Sequence, residues 1–305
     1  MNQVCAVVVT YNRLEMLKEC ISALNRQTVP CDILAVNNAS TDGTRKYLDE
    51  NDSVSSIHMK ENTGGAGGFN AGMKEAVKRG YKYIWVMDDD TLPFPGALEK
   101  LLEADQILQG RYGWLSSVAL WKDGRECVMN RQKLLKAFYR DIHLMRYGLV
   151  RAEQATFVSL FLRSDTVRKH GLPIREFFIW GDDIEYTRRI SVRKKMPCYV
   201  AGQSLVTHAM KENKGCSLAL DSTDRLWRYR LTIRNGNYLN RQEGLPRFLY
   251  YLAICGVDFM RVVLKARDHR LLRCGMILKQ MFLGLFFNPD VEYVDGAGDE
   301  GKRKK

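Results

Sequence analysis

Three consecutive carboxylates, Asp88, Asp89 and Asp90, end a run of bulky apolar residues (YIWVM, 83–87). Such charges repel one another unless a cation or solvent screens them. Alternate residues of an extended segment point the same way, so Asp88 and Asp90 can share one ion. Their hard oxygen donors suit Mg2+ or Mn2+. A solvated acidic turn ahead of Pro93 and Pro95 is the plainer alternative. A second acidic cluster, Asp182, Asp183 and Glu185 in WGDDIEY (180–186), follows the apolar FFIW. A carboxylate against aromatic surface can have a raised pKa and act as a general base, whereas one at a helix start can serve as a cap. His208 follows a strand-like run and becomes a ligand only if it reaches the acidic triplet. The glycine-rich stretch NTGGAGGF (62–69) lacks the Lys-Ser/Thr of a nucleotide-binding P-loop and does not fit GxGxxG. Its glycines either let the backbone approach an anion or form a tight turn from strand to helix.

These groups need elements to bring them together. VCAVVV (4–9) is the continuous apolar run of a strand buried on both faces, and Leu14, Leu17, Ile21 and Leu24 mark an amphipathic helix. DILAV (32–36) is a second strand, residues 55–59 a short third, and 83–87 a fourth. A glycine loop over 62–68 precedes a helix reaching about Lys78, and Leu98, Leu101, Leu102 and Leu108 mark another helix. Residues 114–121 and 156–162 read as strands, and 133–147 as a half-apolar helix. The alternation predicts an α/β fold with a mostly parallel central sheet and helices on both faces. Ligands of such sheets bind beyond the carboxyl ends of the strands. TYNR (10–13), NNAS (37–40) and DDD (88–90) sit at three of those ends and should face one crevice.

The net charge is +12, and nine of those charges accumulate over residues 225–279, where twelve Lys and Arg meet only Glu243, Asp258 and Asp268. A nucleic-acid enzyme with a basic stripe through its main domain is therefore disfavoured. The basic residues are interleaved with Trp227, Tyr229, Tyr238, Phe248, Tyr250, Tyr251 and Phe259. That composition suits an amphipathic surface resting peripherally on anionic lipid, or a helical subdomain that pairs with a second copy of the chain. None of the eight cysteines has zinc-ligand spacing, so reduced thiols are expected. The chain opens directly on a core strand with no signal peptide ahead of it, and no uncharged run reaches the roughly 18–20 residues of a membrane span. The expected place is the cytoplasm, at the inner face of the cell membrane.

The ordered set TYNR, NNASTDGT, NTGGAGGFN, DDD, WGDDIEY and a later His resembles glycosyltransferase family 2, over residues 3–210. Within it, the NTGGAGGF loop and the Trp before the base motif look most like bacterial galactofuranosyltransferases, with rhamnosyltransferases as near neighbours. The resemblance implies a GT-A fold over 1–217 and a helical basic region over 218–305, fraying from about 288. It implies that Thr10, Tyr11, Asn12 and Arg13 hold the nucleotide of a nucleotide-sugar donor, with Arg13 near the diphosphate. Asn38 would meet the base, with Asp42 in the same turn, and Asn62, Gly64 and Gly65 would lie along the donor. Asp88, Asp90 and His208 would hold Mn2+ or Mg2+, with Asp89 close to the donor sugar. Asp183 would be the catalytic base, and Trp180 and Asp182 would border the substrates. Many relatives carry Asp where this chain has Asn37. The implied activity is inverting transfer of a hexose, galactofuranose from UDP-galactofuranose or else rhamnose from dTDP-rhamnose, onto a lipid-linked cell-surface glycan. Two rivals are an inactive nucleotide-sugar-binding module, which need not keep Asp183 or His208, and a nucleotidyltransferase, whose glycine-rich basic loop TYNRLEML lacks.

Overall fold

The computed structural model describes residues 2–296. The chain runs β1 (Val4–Thr10), α1 (Leu14–Asn25), β2 (Asp32–Asn37), α2 (Thr44–Asp49), β3 (Ser55–His58), α3 (Gly64–Lys78), β4 (Tyr83–Asp88), β5 (Thr91–Pro93) and α4 (Ala97–Leu108). It continues through β6 (Leu115–Leu120), β7 (Lys133–Leu134), β8 (Leu149–Gln154), β9 (Leu160–Arg163), α5 (Ser164–His170), α6 (Asp182–Arg188) and β10 (Tyr199–His208). Three helices follow: α7 (Leu226–Gln242), α8 (Leu245–Lys265) and α9 (Arg270–Phe286).

One sheet holds the ten strands, in the order β3-β2-β1-β4-β9-β6-β10-β8-β7, with β5 against β10. The period of two along β1 divides its side chains between two cores. Val4, Ala6 and Val8 meet Leu17 and Ile21 of α1 and Leu98 and Leu101 of α4. Cys5, Val7 and Val9 meet Met73, Ala76 and Val77 of α3. The sheet is parallel from β3 to β4, then mixed: β9 runs antiparallel between β4 and β6, and β8 antiparallel to β10. The parallel reading thus holds for the first four strands and for the β6–β10 pair.

Two local expectations change. The glycines form the first turns of α3 rather than a loop ahead of it, because they let the helix sit directly on the strands. A Cβ on Gly68 would meet Val9 at 2.6 Å, and one on Gly72 would meet Val7 at 2.4 Å. Residues 133–147 are a two-residue strand and a 3-10 segment broken at Asp141, whose φ and ψ are −111° and 32°.

The helical region is joined to the sheet domain through α7. Arg188 of α6 and Glu243 pair at 2.6 Å with both side chains about 5% exposed, and Tyr238 shares a core with Ala66, Ile174 and Phe177. Residues 288–296 do not fray, which corrects that expectation. They run back across the sheet domain, where Val294 is buried among α3 and β4 residues, Glu292 pairs with Lys74, and Asp295 pairs with Arg168. Residues 297–305 lie outside the described residues.

Candidate active site

β10 carries a register shift between Ala201 and Leu205. Its first half pairs with β8, its second half with β5. The shift places His208 opposite Thr91, directly after the acidic triplet. The sheet itself therefore joins two parts of the chain 118 residues apart: His208 Nε2 lies 3.0 Å from Asp90 Oδ1. Ligand atoms of Asp88, Asp90 and His208 all lie within 4.8 Å of one another. Two carboxylate oxygens and an imidazole nitrogen at that spacing fit a divalent ion such as Mn2+.

Asn130 sets the imidazole. Its Oδ1 lies 2.6 Å from His208 Nδ1, while its Nδ2 donates to Thr156 Oγ1. With Oδ1 accepting from Nδ1–H, the ring turns Nε2 to Asp90, and loss of the Nε2 proton would free that lone pair for a metal ion. Burial opposes a charge on His208, but the hydrogen bond to Asp90 and the acids around it push its pKa up to about 10. Burial and the Asp90 charge raise Asp88 to about 8, against the pull of His208. Burial also works against ionisation of Asp90, yet the hydrogen bond and charge of His208, and then Arg13, hold its pKa below the usual carboxylate range. An acidic trio strained in this way is the setting a cation relieves.

Arg13 reaches the triplet from the end of β1, 2.8 Å from Asp90 and 3.3 Å from Asp89, with about half of its side chain exposed. Asp89 also accepts from Thr10 Oγ1 at 2.7 Å. The TYNR and NNAS turns brace each other: Asn12 N–H donates to Ser40, and Thr41 N–H to Asn12 Oδ1. Asn12 and Ala39 both have positive φ, 53° and 62°. Tyr11 is 43% exposed beside them.

Several expected donor contacts instead hold the frame. Asn38 is 2% exposed. Its Nδ2 donates to Asn62 Oδ1 and the Gly64 carbonyl, and its Oδ1 accepts from Thr63 N–H and Oγ1. All four of its side-chain hydrogen-bonding positions are thus used internally. Asp42 accepts from Leu14 N–H, capping α1, and from Thr44. Gly64, at φ 71°, sits where a Cβ would meet the Phe178 carbonyl at 2.0 Å. Gly65 is less confined, its nearest neighbour being Phe69 at 3.8 Å.

The base motif stands on a strained turn. Phe178, Trp180 and Gly181 have φ of 64°, 62° and 92°, and α6 starts at Asp182. Asn235 of α7, 1% exposed, donates to the carbonyls of Phe177 and Trp180 at 3.0 and 2.9 Å. Burial raises the pKa of Asp183 to about 6, against the nearby backbone N–H groups. Burial and Asp183 raise that of Asp182, with the Asp88 charge contributing. Glu185 does not take part; it is buried in ion pairs with Arg189 and Arg193. Asn130 and Asn235 were not foreseen: Asn130 lies in no recognisable motif, and the only trace of Asn235 is a polar residue on the buried side of an amphipathic helix.

Residues 5–109 match the family model described as glycosyl transferase family 2. The chain is 28% identical over 259 residues to galactofuranosyltransferase GlfT1 of Mycolicibacterium smegmatis (strain ATCC 700084 / mc(2)155), covering 81% of this chain and 85% of that one. It is 34% identical over 134 residues to undecaprenyl-phosphate mannosyltransferase of Micrococcus luteus, covering 41% and 55%. The fold is shared with GalNAc-T7, solved with UDP, GalNAc and Mn2+ (TM-score 0.58, 13% identity, covering 84% of this chain and 54% of that chain). It is shared too with a mannosyltransferase of Pyrobaculum calidifontis solved with GDP-Man and Mn2+ (TM-score 0.51, 14% identity, covering 94% and 76%). The architecture is thus of the GT-A type.

Proposed function

This chain is a glycosyltransferase carrying a family 2 domain, and from that premise we propose that it transfers galactofuranose, with inversion, from UDP-galactofuranose onto a hydroxyl of a lipid-linked glycan. The observation that carries the reading is the meeting of Asp88, Asp90 and His208. The likeness to GlfT1, which extends over 81% of this chain and into its helical region, supports the sugar.

Asp88, Asp90 and His208 would hold Mn2+ or Mg2+, which supplies positive charge where the diphosphate departs. Arg13, half exposed and already beside Asp89 and Asp90, adds a second positive group at the same place. Asp183, ionised above about pH 6, takes the proton of the acceptor hydroxyl as it attacks. One displacement with one base inverts the anomeric carbon. Trp180 borders the acceptor side of the turn, its ring packed edge-on against Tyr229 at 5.2 Å.

The acceptor reading rests on α8 and α9. Tyr250, Ile254, Val257 and Leu264 recur at helical spacing on one exposed face of α8, and Leu271, Leu278, Phe282 and Phe286 on α9. Lys265, Arg267 and Arg270 stand exposed at the junction of the two helices. No helix among the described residues is long and apolar enough to cross a membrane. An apolar face with basic neighbours lies in the interfacial layer of anionic lipid. The test is a screen of purified protein with Mn2+ against nucleotide sugars, UDP-galactofuranose and dTDP-rhamnose first, scoring nucleoside diphosphate release with a lipid-linked glycan present. Release from UDP-galactofuranose above all other donors supports the reading, and release from another donor alone overturns the sugar.

A further inference from the structure

Arg228, in the first turn of α7, turns its guanidinium toward two indoles. Its Cζ is 5.7 Å from the centre of the Trp180 ring and 5.5 Å from that of Trp227. Trp180 immediately precedes the Gly181 turn that launches α6, so Arg228 stands at the rim of the crevice. Its Nε is buried with no hydrogen-bond partner, and no carboxylate among the described residues forms an ion pair with it. Nearby Arg225 has its own acid, Asp221, at 3.7 Å. Burial first, then the charges of Arg225 and Arg13, lower the Arg228 pKa, with Asp224 acting the other way.

A buried donor without an acceptor is unfavourable. An anion at Arg228 removes that penalty. A guanidinium held between indoles offers a rigid planar fork, which matches the oxygens of a phosphate better than a point charge does. We propose that Arg228 is a phosphate-binding residue of the crevice, closing on a phosphate group of a bound substrate. The group is either the diphosphate of the donor or the phosphate that links a glycan acceptor to its lipid. The inference rests on the donor-crevice reading above.

Calorimetric titrations of the full chain with Mn2+ compare wild type, Arg228→Ala, Arg228→Gln and Arg228→Lys. The probes are UDP, inorganic pyrophosphate, uridine and geranyl diphosphate. Loss of a charge-assisted pair at a desolvated site corresponds to about 10-fold to 100-fold weaker binding. If UDP and pyrophosphate weaken by that factor in Arg228→Ala and Arg228→Gln while uridine does not, the phosphate is the donor's. If geranyl diphosphate weakens and UDP does not, the phosphate is the lipid's. Partial recovery in Arg228→Lys separates charge from packing on Trp180. Wild-type binding of UDP with no change in any probe across the variants overturns the inference alone. Failure of the wild type to bind UDP or pyrophosphate overturns it together with the donor-crevice reading.

Discussion

Asp183 combines burial with a hydrogen-bonded helix start, and the balance leaves its pKa near 6. A carboxylate whose folded pKa lies above its unfolded value costs stability once pH exceeds the unfolded value, and works as a base only above the folded one. Transfer should therefore fall about tenfold per pH unit below about pH 6 in a kcat/KM profile. Asp183→Asn should lower kcat by about 10²–10⁴ while leaving UDP affinity within twofold and the melting temperature unchanged or higher. Near wild-type kcat in that variant would exclude the base role. The acidic residues of the site were legible as residue types, since DDD and WGDDIEY end apolar runs. The internal hydrogen bonds of Asn38 and Asp42 were not. A polar side chain in a turn looks the same in sequence whether it points at a ligand or, like Asn38, exhausts its four hydrogen-bonding positions on a neighbouring loop.

The 177–181 turn and α7 act as a unit. Trp180 is an L-residue at positive φ, and Phe178, at φ 64° and ψ −64°, is the centre of a γ-turn closed by Ile179 N–H donating to the Phe177 carbonyl; each costs roughly 1–3 kcal/mol. Two hydrogen bonds from Asn235 to that turn are worth a comparable amount, about 1–3 kcal/mol if a buried partner is lost. Because the terms are of similar size, Asn235→Ala should release the turn. We expect kcat to drop at least tenfold with little change in UDP affinity, and faster amide exchange confined to residues 177–181. Unaltered exchange there would show that packing, not Asn235, holds the turn. Strands β1 to β4, β6, β9 and β10 were legible as apolar runs and a helix after FFIW by its acidic start, whereas β5, β7 and β8 were not. The register shift in β10 does not: it is seen only through which strands flank each half of β10, and it is what carries His208 to Asp90. The mixed half of the sheet was hidden for the same reason, since strand direction depends on partners and not on composition.

At the scale of the molecule, the crevice and the apolar face of α8 and α9 belong to one body, joined through α7 and the returning segment 288–296. The basic, aromatic character of the C-terminal third was plain in composition, but its burial against the sheet domain through Arg188–Glu243 was not. Leu264→Glu combined with Phe282→Glu removes two anchors, each contributing about 1.5–3 kcal/mol on burial, and should weaken sedimentation with anionic vesicles by about a hundredfold or more. Transfer to a short water-soluble acceptor should survive. Unchanged vesicle binding, or a wild type that dimerises through this face instead, would contradict the membrane role. The central claim is that Asp88, Asp90 and His208 hold a divalent ion at the donor diphosphate. Its most direct test is anomalous diffraction from crystals grown with Mn2+ and UDP. The account predicts a manganese peak bonded to all three side chains and to the diphosphate oxygens. A peak elsewhere, or a nucleotide bound outside this crevice, would contradict it.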